Sequence, residues 1–253
     1  MIHEYTHLAR LLDEAARDGR AIPQLQENLT LDQAYEVQAL ALARRIERGE
    51  QVSGLKMGFT SRAKMVQMGI ETMIFGRITD AMAVEEGGAS PHARYVHPRV
   101  EPEIAFRLGR PLSGRITHFD AMAAVEWIAP AIEIIDSRYE NFKFSLADVV
   151  ADNSSASGYV IGPAHRPDMD ISNLGMVLSV DGVAREIGSS AAILGNPWRS
   201  LVAAAAFAER YGFVLRAGDI VMAGGATAAV AVDAGARVKL ETQGLSQIAF
   251  SFS

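Results

Sequence analysis

The first fifty residues carry apolar side chains at the spacing of two helices. In residues 3–20 they recur every three or four positions, which predicts an amphipathic helix; they are Leu8, Leu11, Leu12 and Ala15. Thr30 and Gln33 fit a capping box that begins a second helix, and Gly49 is a typical C-terminal stop. Since this stretch contains no polar cluster, we interpret residues 1–50 as a helical N-terminal region that caps the fold or contributes to oligomerisation.

After residue 50 the pattern changes to short apolar runs separated by glycine and proline, which predicts strands. The predicted strands cover residues 52–59, 74–78, 100–108, 131–135, 159–161, 176–180, 220–223, 228–232, 238–241 and 247–252. Asp181 and Gly182, between Val180 and Val183, predict a two-residue hairpin. Two further helices are predicted, one from residue 117 or 120 to before residue 130, and one over residues 196–212.

The predicted strands and helices do not alternate regularly, which argues against a doubly wound parallel sheet. We therefore predict an α+β fold. Residues 51–253 would form a mixed, mostly antiparallel β-roll or sandwich, preceded by the small helical region.

The composition excludes several classes of protein. The chain has 253 residues, of which 49% are hydrophobic, and a net charge of −6 without a basic stripe, so we expect a globular domain without a nucleic-acid partner. The absence of cysteine excludes disulfides and thiolate chemistry and makes the cytoplasm the simplest compartment. No signal sequence, membrane span, P-loop, dinucleotide-binding motif, nucleophile elbow or zinc-protease motif is present in the sequence, so no membrane association is expected.

Two glutamates lie one residue apart in the predicted strand 100–108. Alternation along a strand puts Glu101 and Glu103 on one face and the apolar side chains on the other. Two carboxylates this close repel each other unless a cation or a proton lies between them. Pro102 favours an edge or bulge position. From this pair alone, a solvated face of an edge strand stays open as an alternative.

A third acid, Glu133, lies inside the apolar run 131–135. A carboxylate among isoleucines is costly unless it is paired or binds a metal. With Glu101 and Glu103 it would complete a set of three carboxylates, and all-oxygen ligation is typical of Mg²⁺ or Mn²⁺. Zinc is less favoured, because no histidine lies at comparable spacing.

Lys56 lies between Gly54 and Gly58 in the first predicted strand. Among apolar neighbours it could be an acid/base group with a lowered pKa, or it could neutralise a substrate anion. A surface lysine on an edge strand is the alternative. Asp80 ends the next run, and it would be an acid/base partner if it lay opposite Lys56, or a turn former if it did not.

Two polar segments could supply contacts to a substrate carboxylate. Residues 152–155 follow a predicted short helix that begins at Ser145, and they form either a plain turn or a source of donors, with Asn153 and Ser155 as candidates. The loop 224–227 forms either a tight connection or a backbone cradle for an anion, with Thr227 as its candidate.

Four motifs occur in order along the chain: GLKMGFTS at 54–61, PRVEPEI at 98–104, PAIEIIDSR at 130–138 and VADNSS at 150–155. Together they resemble the 2-keto-4-pentenoate hydratase / 4-oxalocrotonate decarboxylase family, which belongs to the fumarylacetoacetate hydrolase superfamily. The resemblance runs from about residue 50 to the C-terminus. It implies a fumarylacetoacetase-like fold for residues 51–253.

The resemblance also implies roles for residues already singled out, with Mg²⁺ or Mn²⁺ as the cofactor. They are Glu101, Glu103 and Glu133 for the metal, Lys56 and Asp80 for catalysis, and Asn153 and Ser155 for the substrate. The chain departs from the family at Asn196, where relatives often have the histidine of a Gly-His-Pro motif. Asparagine at this position is still a good helix cap.

Residues 56–65 and 135–144 resemble decarboxylases more than hydratases. This implies decarboxylation of 2-oxohex-3-enedioate (4-oxalocrotonate) to 2-hydroxypenta-2,4-dienoate and CO₂, in the meta-cleavage catabolism of aromatic compounds. The alternative is hydration of 2-hydroxypenta-2,4-dienoate on the same scaffold. A non-catalytic binding relative is disfavoured by the intact acids and Lys56. The resemblance further implies a small 2-oxo dicarboxylic acid as substrate and association with a partner hydratase. The apolar helical arm, together with a roll fold, predicts a homo-oligomer.

Overall fold

The computed structural model describes residues 4–61 and 72–253. Its helices are α1 (Thr6–Arg17), α2 (Leu31–Glu47), α3 (His118–Ala124), α4 (Leu146–Ala151) and α5 (Trp198–Arg210). Within this part of the chain, no helix is both long enough and apolar enough to cross a bilayer. Residues 62–65, the end of the decarboxylase-like stretch 56–65, lie outside the described residues.

The strands form two sheets. They are β1 (Val52–Gly58), β2 (Ile74–Thr79), β3 (Ala83–Val84), β4 (Ala89–Ser90), β5 (Arg99–Leu108), β6 (Val125–Ile135), β7 (Ala156–Ile161), β8 (Gly175–Val180), β9 (Val183–Ser189), β10 (Ile220–Met222), β11 (Val230–Ala231), β12 (Arg237–Thr242) and β13 (Ile248–Phe252). The larger sheet has the order β2-β1-β10-β5-β6-β7-β3, with β11 also paired to β5, and the smaller has the order β4-β13-β12-β8-β9. Neighbours are antiparallel except β1 with β10, β3 with β7, and β4 with β13. The predicted α+β class with mixed, mostly antiparallel sheets is confirmed.

Helix α2 begins at the predicted capping box, in which Thr30 and Gln33 satisfy each other's backbone amides. One buried side chain ties this helix to the rest of the fold. Gln38 Nε2 donates to the carbonyl oxygens of Phe75 on β2 and Val150 on α4, at 3.1 and 2.9 Å. The helix is therefore fixed to both elements by a buried amide as well as by apolar packing.

Helices α1 and α2 are held together by a buried ion-pair group. Asp13 of α1 is 2% exposed, and its carboxylate lies 2.8 Å from Arg44 Nε and 2.6 Å from Arg48 Nη2 of α2. Buried apolar side chains of both helices belong to the same core cluster as those of the sheets. The division of the chain at residue 50 therefore stays a prediction.

Two prolines lie inside central strands of the larger sheet. The prediction that Pro102 marks an edge or bulge is wrong, because β5 lies between β10 and β6 and its register is regular at this residue. The carbonyl oxygen of Pro102 accepts a hydrogen bond from the amide of Ala226, which lies in the gap between β10 and β11. No strand pairs with Pro102 on that side, so its missing N–H costs no hydrogen bond of the sheet. Pro130 lies within β6 and faces Gly162, just beyond the end of β7.

The helix predicted to continue towards residue 130 ends at Ala124.

Two local predictions are confirmed. Asp181 and Gly182 have φ of +52° and +78° and join β8 to β9 as a hairpin. Asn196 Oδ1 accepts a hydrogen bond of 3.1 Å from the Trp198 amide at the start of α5, so the asparagine caps this helix.

Candidate active site

Strands β1, β5 and β6 bring the predicted acids and lysine together. Glu101 on β5 lies directly opposite Glu133 on β6, and Glu103 follows on the same face of β5. One carboxylate oxygen from each of the three residues lies within 4.8 Å of the others. Lys56 on β1 joins them because it aligns with Ala105 of β5 across the short strand β10.

Three of the four side chains in this cluster are almost fully withdrawn from solvent, and Glu101 is partly exposed. Glu103 is 0% exposed, Glu133 1% and Lys56 4%. Lys56 Nζ lies 3.0 Å from Glu133 Oε1, and Glu103 Oε2 accepts a hydrogen bond of 2.8 Å from the amide of Gly224. Among the described residues, the buried Glu103 Oε1 and Glu133 Oε2 have no hydrogen-bond partner. Three carboxylates with one ammonium therefore leave negative charge uncompensated.

This environment shifts the pKa values in a way that identifies the charged forms. Burial raises the pKa of the Glu103 carboxyl well above its usual range, and the charge of Glu133 adds to the shift. Burial alone would lower the pKa of Lys56, but the charges of Glu133, Glu101 and Glu103 outweigh burial and the pKa is raised. Lys56 is therefore a cation, which supports neutralisation of an anion over the alternative of a base with a lowered pKa.

The donor set of the cluster fits a divalent cation. Its oxygens converge, two of them lack partners, and their charge exceeds that of the single ammonium. Carboxylate oxygens are the ligands that Mg²⁺ and Mn²⁺ prefer, and a shared metal would supply the missing partners. Glu101, Glu103 and Glu133 are the residues that would hold it.

The loop after β10 fits closely around the acids. Gly224 has φ of +107°, and its amide donates a hydrogen bond to Glu103. The anion that this loop binds is therefore one of the protein's own carboxylates. A Cβ on Gly225 would lie 2.8 Å from the carboxyl carbon of Glu101. Glycine at this position leaves the space that the carboxylate occupies.

A cavity of about 650 Å³ opens beside the cluster and is lined by Lys56 and Glu101. Much of its remaining wall is apolar and is formed by Met57, Phe59, Ile74, Ile135, Phe142, Phe144, Val149 and Ala229. Ser155 and Lys143 add polar groups. A largely apolar cavity with a few converging polar groups is typical of a small-molecule site.

Asp80 lies outside this cavity. It is exposed, and its Oδ1 accepts hydrogen bonds of 2.9 Å from the amides of Gln51 and Ala81. Lys56 aligns with Gly76 inside β2, whereas Asp80 follows the end of that strand. The structure therefore does not bring Asp80 opposite Lys56, and it supports the alternative interpretation of Asp80 as a turn former.

Of the three predicted substrate contacts, Ser155 lines the cavity and the other two do not. Asn153 uses its side-chain amide on β2, where Nδ2 donates to the carbonyl oxygen of Arg77 and Oδ1 accepts from the Arg77 amide, at 2.8 and 2.7 Å. Thr227 is buried, and its Oγ1 donates to the carbonyl oxygen of Ala228. Asn153 and Thr227 thus contact the backbone around the site.

The turn that carries Ser155 has an unusual backbone. Asn153, Ser154 and Ser155 have successive φ values of +51°, +51° and +60°, a left-handed conformation that costs roughly 1–2 kcal/mol per residue. A Cβ on Gly76 would lie 2.3 Å from the Asn153 carbonyl oxygen, so the turn approaches β2 where that strand lacks a side chain. No sequence propensity signals such a run, and it was missed.

Lys143 was also missed. It lies in the segment between β6 and α4, which shows no periodic pattern. The available signal was its place in the decarboxylase-like stretch 135–144.

Comparison with known proteins agrees with this geometry. The family model described as fumarylacetoacetate (FAA) hydrolase C-terminal matches residues 50–252. The chain belongs to this family. Its relatives include a 4-oxalocrotonate decarboxylase from Pseudomonas sp., which is 57% identical over 248 residues that cover 97% of each chain. The 2-keto-4-pentenoate hydratase 1 of Dechloromonas aromatica (strain RCB) is 36% identical over 251 residues, 97% of this chain and 95% of the relative.

A solved structure shows the same fold over the whole length. It is the 4-oxalocrotonate decarboxylase of Pseudomonas putida G7 in complex with magnesium and adipate. This protein is 36% identical, the TM-score is 0.95, and the match covers 100% of this chain and 98% of that one. The fumarylacetoacetase-like fold implied by the sequence motifs is therefore confirmed.

Proposed function

We propose that this chain is a carboxy-lyase that converts 2-oxohex-3-enedioate to 2-hydroxypenta-2,4-dienoate and CO₂ with Mg²⁺ or Mn²⁺ as cofactor. The observation that carries the proposal is the cluster of Glu101, Glu103 and Glu133 beside a largely apolar cavity. Among the described residues, the buried Glu103 Oε1 and Glu133 Oε2 in this cluster lack hydrogen-bond partners. The 57% identical decarboxylase supports the choice of reaction. The meta-cleavage catabolism of aromatic compounds is the route in which we place it.

The reaction needs an electron sink and a proton, and the substrate supplies the sink. When bound at the three carboxylates, the metal stabilises negative charge on the C2 oxygen as a Lewis acid. The C5–C6 bond breaks, its electron pair forms C4=C5, the former C3=C4 pair forms C2=C3, and the carbonyl pair moves to the C2 oxygen. A proton on that oxygen then completes 2-hydroxypenta-2,4-dienoate, and C6 leaves as CO₂.

Lys56 is the residue suited to handle charge and proton in this sequence. Its ammonium lines the cavity beside Glu101 and is held by Glu133 at 3.0 Å. A charged donor in a water-poor site stabilises developing negative charge more strongly than it would in water. We assign Lys56 to stabilisation of the dienolate and to proton delivery at the C2 oxygen. Asp80 takes no part, because it lies outside the cavity.

The apolar wall has its own role in the loss of CO₂. Met57 and Phe59 line the cavity next to Lys56 in sequence. Apolar surroundings disfavour a carboxylate relative to neutral CO₂, and therefore favour the step that removes charge from C6. Ser155 is the remaining predicted substrate contact that the cavity wall includes.

Hydration of 2-hydroxypenta-2,4-dienoate is the second candidate, and the 36% identical hydratase favours it. It would use the same acids and Lys56, so the cluster does not separate the two reactions. The substrates differ in one group, since the hydratase substrate has no distal carboxylate.

One experiment decides between these reactions. The protein is incubated with 2-oxohex-3-enedioate and Mg²⁺, evolved CO₂ is trapped, and 2-hydroxypenta-2,4-dienoate is offered separately. We expect CO₂ release that EDTA stops and a Lys56→Met variant loses, with little water addition to the dienoate. Efficient hydration without CO₂ release would favour the hydratase, and inactivity towards both compounds would leave a binding relative.

The predicted assembly and location belong to the proposal as well. Val183 and Ile187 on the edge strand β9 are 55% and 75% exposed, and exposed apolar side chains on a sheet edge favour association. This supports the predicted homo-oligomer. Association with a partner hydratase and a cytoplasmic location stay predictions.

A further inference from the structure

One cation at the cavity has no acidic partner among the residues that the structure describes. Lys143 is exposed and lines the cavity, and it makes no side-chain hydrogen bond or ion pair with the described residues. The chain's other described lysines differ: Lys56 pairs with Glu133, and Lys239 lies 2.9 Å from Glu241. Within the described part of the chain, Lys143 is therefore an unpaired positive charge on the wall of a cavity that adjoins the acid cluster.

The backbone next to Lys143 is fixed. Asn141 and Phe142 both have φ of +57°, which places two successive residues in the left-handed region. The Phe142 ring lines the cavity and lies 4.3 Å from the Arg99 guanidinium in a cation–π contact. The His97 ring packs against it at 5.1 Å. These contacts hold the segment that carries Lys143 against the wall of the cavity.

The spacing from the acid cluster suits a six-carbon dioate. Arg99 and Glu101 lie on the same face of β5, two residues apart, which is about 6.7 Å along a strand. The five bonds from C1 to C6 of an extended chain span about 6 Å. A 2-oxo acid held at the acids by its keto end is therefore long enough for its distal carboxylate to reach the part of the cavity wall formed by Phe142 and Lys143.

We propose that Lys143 binds the distal carboxylate and selects 2-oxo dicarboxylic acids over the corresponding monocarboxylic acids. The inference rests on the proposed function, since it takes the keto end of the substrate to lie at the acid cluster. A second anionic group would otherwise meet an apolar wall and the charge of Glu101. The ammonium offsets that cost by a charge-assisted hydrogen bond.

This contact belongs to substrate binding and not to bond cleavage. The distal carboxylate loses its charge as CO₂ forms, so its attraction to Lys143 weakens in the transition state. Removal of the ammonium should therefore raise KM by a larger factor than it lowers kcat/KM. A lysine that merely stabilised the fold would not produce this split.

The test uses two probes that differ in the distal group alone. 2-Oxohexanedioate and 2-oxohexanoate share the keto end, and both lack the double bond through which decarboxylation proceeds. Their dissociation constants are measured with the Mg²⁺-loaded full chain, for the wild type, Lys143→Met and Lys143→Arg. Lys239→Met is the matched control, because it removes a lysine from β12.

We expect the wild type, Lys143→Arg and Lys239→Met to bind the dioate at least about tenfold more tightly than the monoacid. Lys143→Met should lose this preference while its affinity for the monoacid and for oxalate stays unchanged. A preference that persists in Lys143→Met, or an equal loss of affinity for both probes, overturns the inference. If the wild type binds neither probe nor oxalate, the proposed function itself fails, and the inference falls with it.

Discussion

Two groups of carboxylates in this molecule, one between helices and one on strands, differ in the balance of charge around them. Between α1 and α2, Asp13 is matched by two guanidinium groups, those of Arg44 and Arg48. On β5 and β6, three glutamates share the single ammonium of Lys56. The Asp13 carboxylate therefore has two positive partners, whereas the three glutamates have one positive partner among the described residues.

The pKa values follow this difference. Burial alone would raise the pKa of Asp13, but hydrogen bonds from Arg48 and Arg44 outweigh it and hold the pKa below its ordinary value of 3.8. Burial and the charge of Glu133 instead raise the pKa of Glu103. A matched buried charge stabilises the fold, whereas an unmatched one costs stability until a ligand compensates it. The ion pairs of Asp13 in the helical N-terminal region therefore stabilise the fold, whereas the acid cluster on the sheet has negative charge that a ligand could compensate.

The largest expected effect comes from Glu103→Gln. We expect turnover to fall by about a thousandfold or more, because the variant loses one of the three carboxylates proposed to hold the divalent metal ion. The free energy of unfolding in EDTA should not decrease, since glutamine cannot add a negative charge beside Glu101 and Glu133. Activity assays with Mg²⁺ and urea unfolding in EDTA measure the two quantities. Full activity of the variant in metal-depleted buffer would remove the metal from the proposal.

An intermediate effect is expected from Asp13→Asn, the corresponding change in the helical layer. The free energy of unfolding should fall by about 2 kcal/mol, less than for a fully buried pair because both guanidinium groups remain partly hydrated. Turnover per folded molecule should hardly change. Asp18→Asn is the control, since its ion pair with Arg17 is exposed and worth little. A variant as stable as the control would show that this ion-pair group does not support the layer.

The smallest effect is a difference in pH dependence. Because the pKa of Glu103 is raised, a proton competes with Mg²⁺ for this carboxylate at higher pH than it would at an ordinary glutamate. Mg²⁺ affinity should therefore fall as pH decreases, by at most about tenfold per pH unit for one proton. Asp13 behaves oppositely: its stabilising contribution is full above pH 3.8 and is lost as pH falls through its lower pKa in the folded state. Mg²⁺ titrations between pH 5.5 and 8 and urea unfolding below pH 5 check the two signs. A pH-independent Mg²⁺ affinity would contradict a raised pKa at Glu103.

The acid cluster could be predicted from sequence because its pattern is local. Period-two alternation put Glu101 and Glu103 on one face, and the apolar run around Glu133 signalled a buried acid. The position of Asp80 relative to Lys56 could not be predicted in this way. It depends on the register between β1 and β2, which the sequence of neither strand specifies.

The supporting residues were less predictable for a related reason. Asn153 and Lys143 owe their positions to successive residues with positive φ, a conformation that neighbouring contacts impose and intrinsic propensity disfavours. The prediction for Pro102 failed for a different reason. Proline is expected at edges or bulges because it has no N–H to donate to a neighbouring strand. Pro102 lies in a central strand, but its neighbour on one side is interrupted near Ala226, so no such hydrogen bond is lost.

The glycine loop after β10 has a consequence for attempts to redesign this enzyme. A Cβ on Gly224 would collide with the Thr60 side chain, and one on Gly225 with the Glu101 carboxylate, so this wall must remain bare backbone. The part of the wall formed by Phe142, Lys143, Phe144 and Val149 consists instead of side chains. Altered substrate preference should therefore be sought by mutagenesis there, and libraries that vary residues 224 and 225 should yield mainly inactive protein.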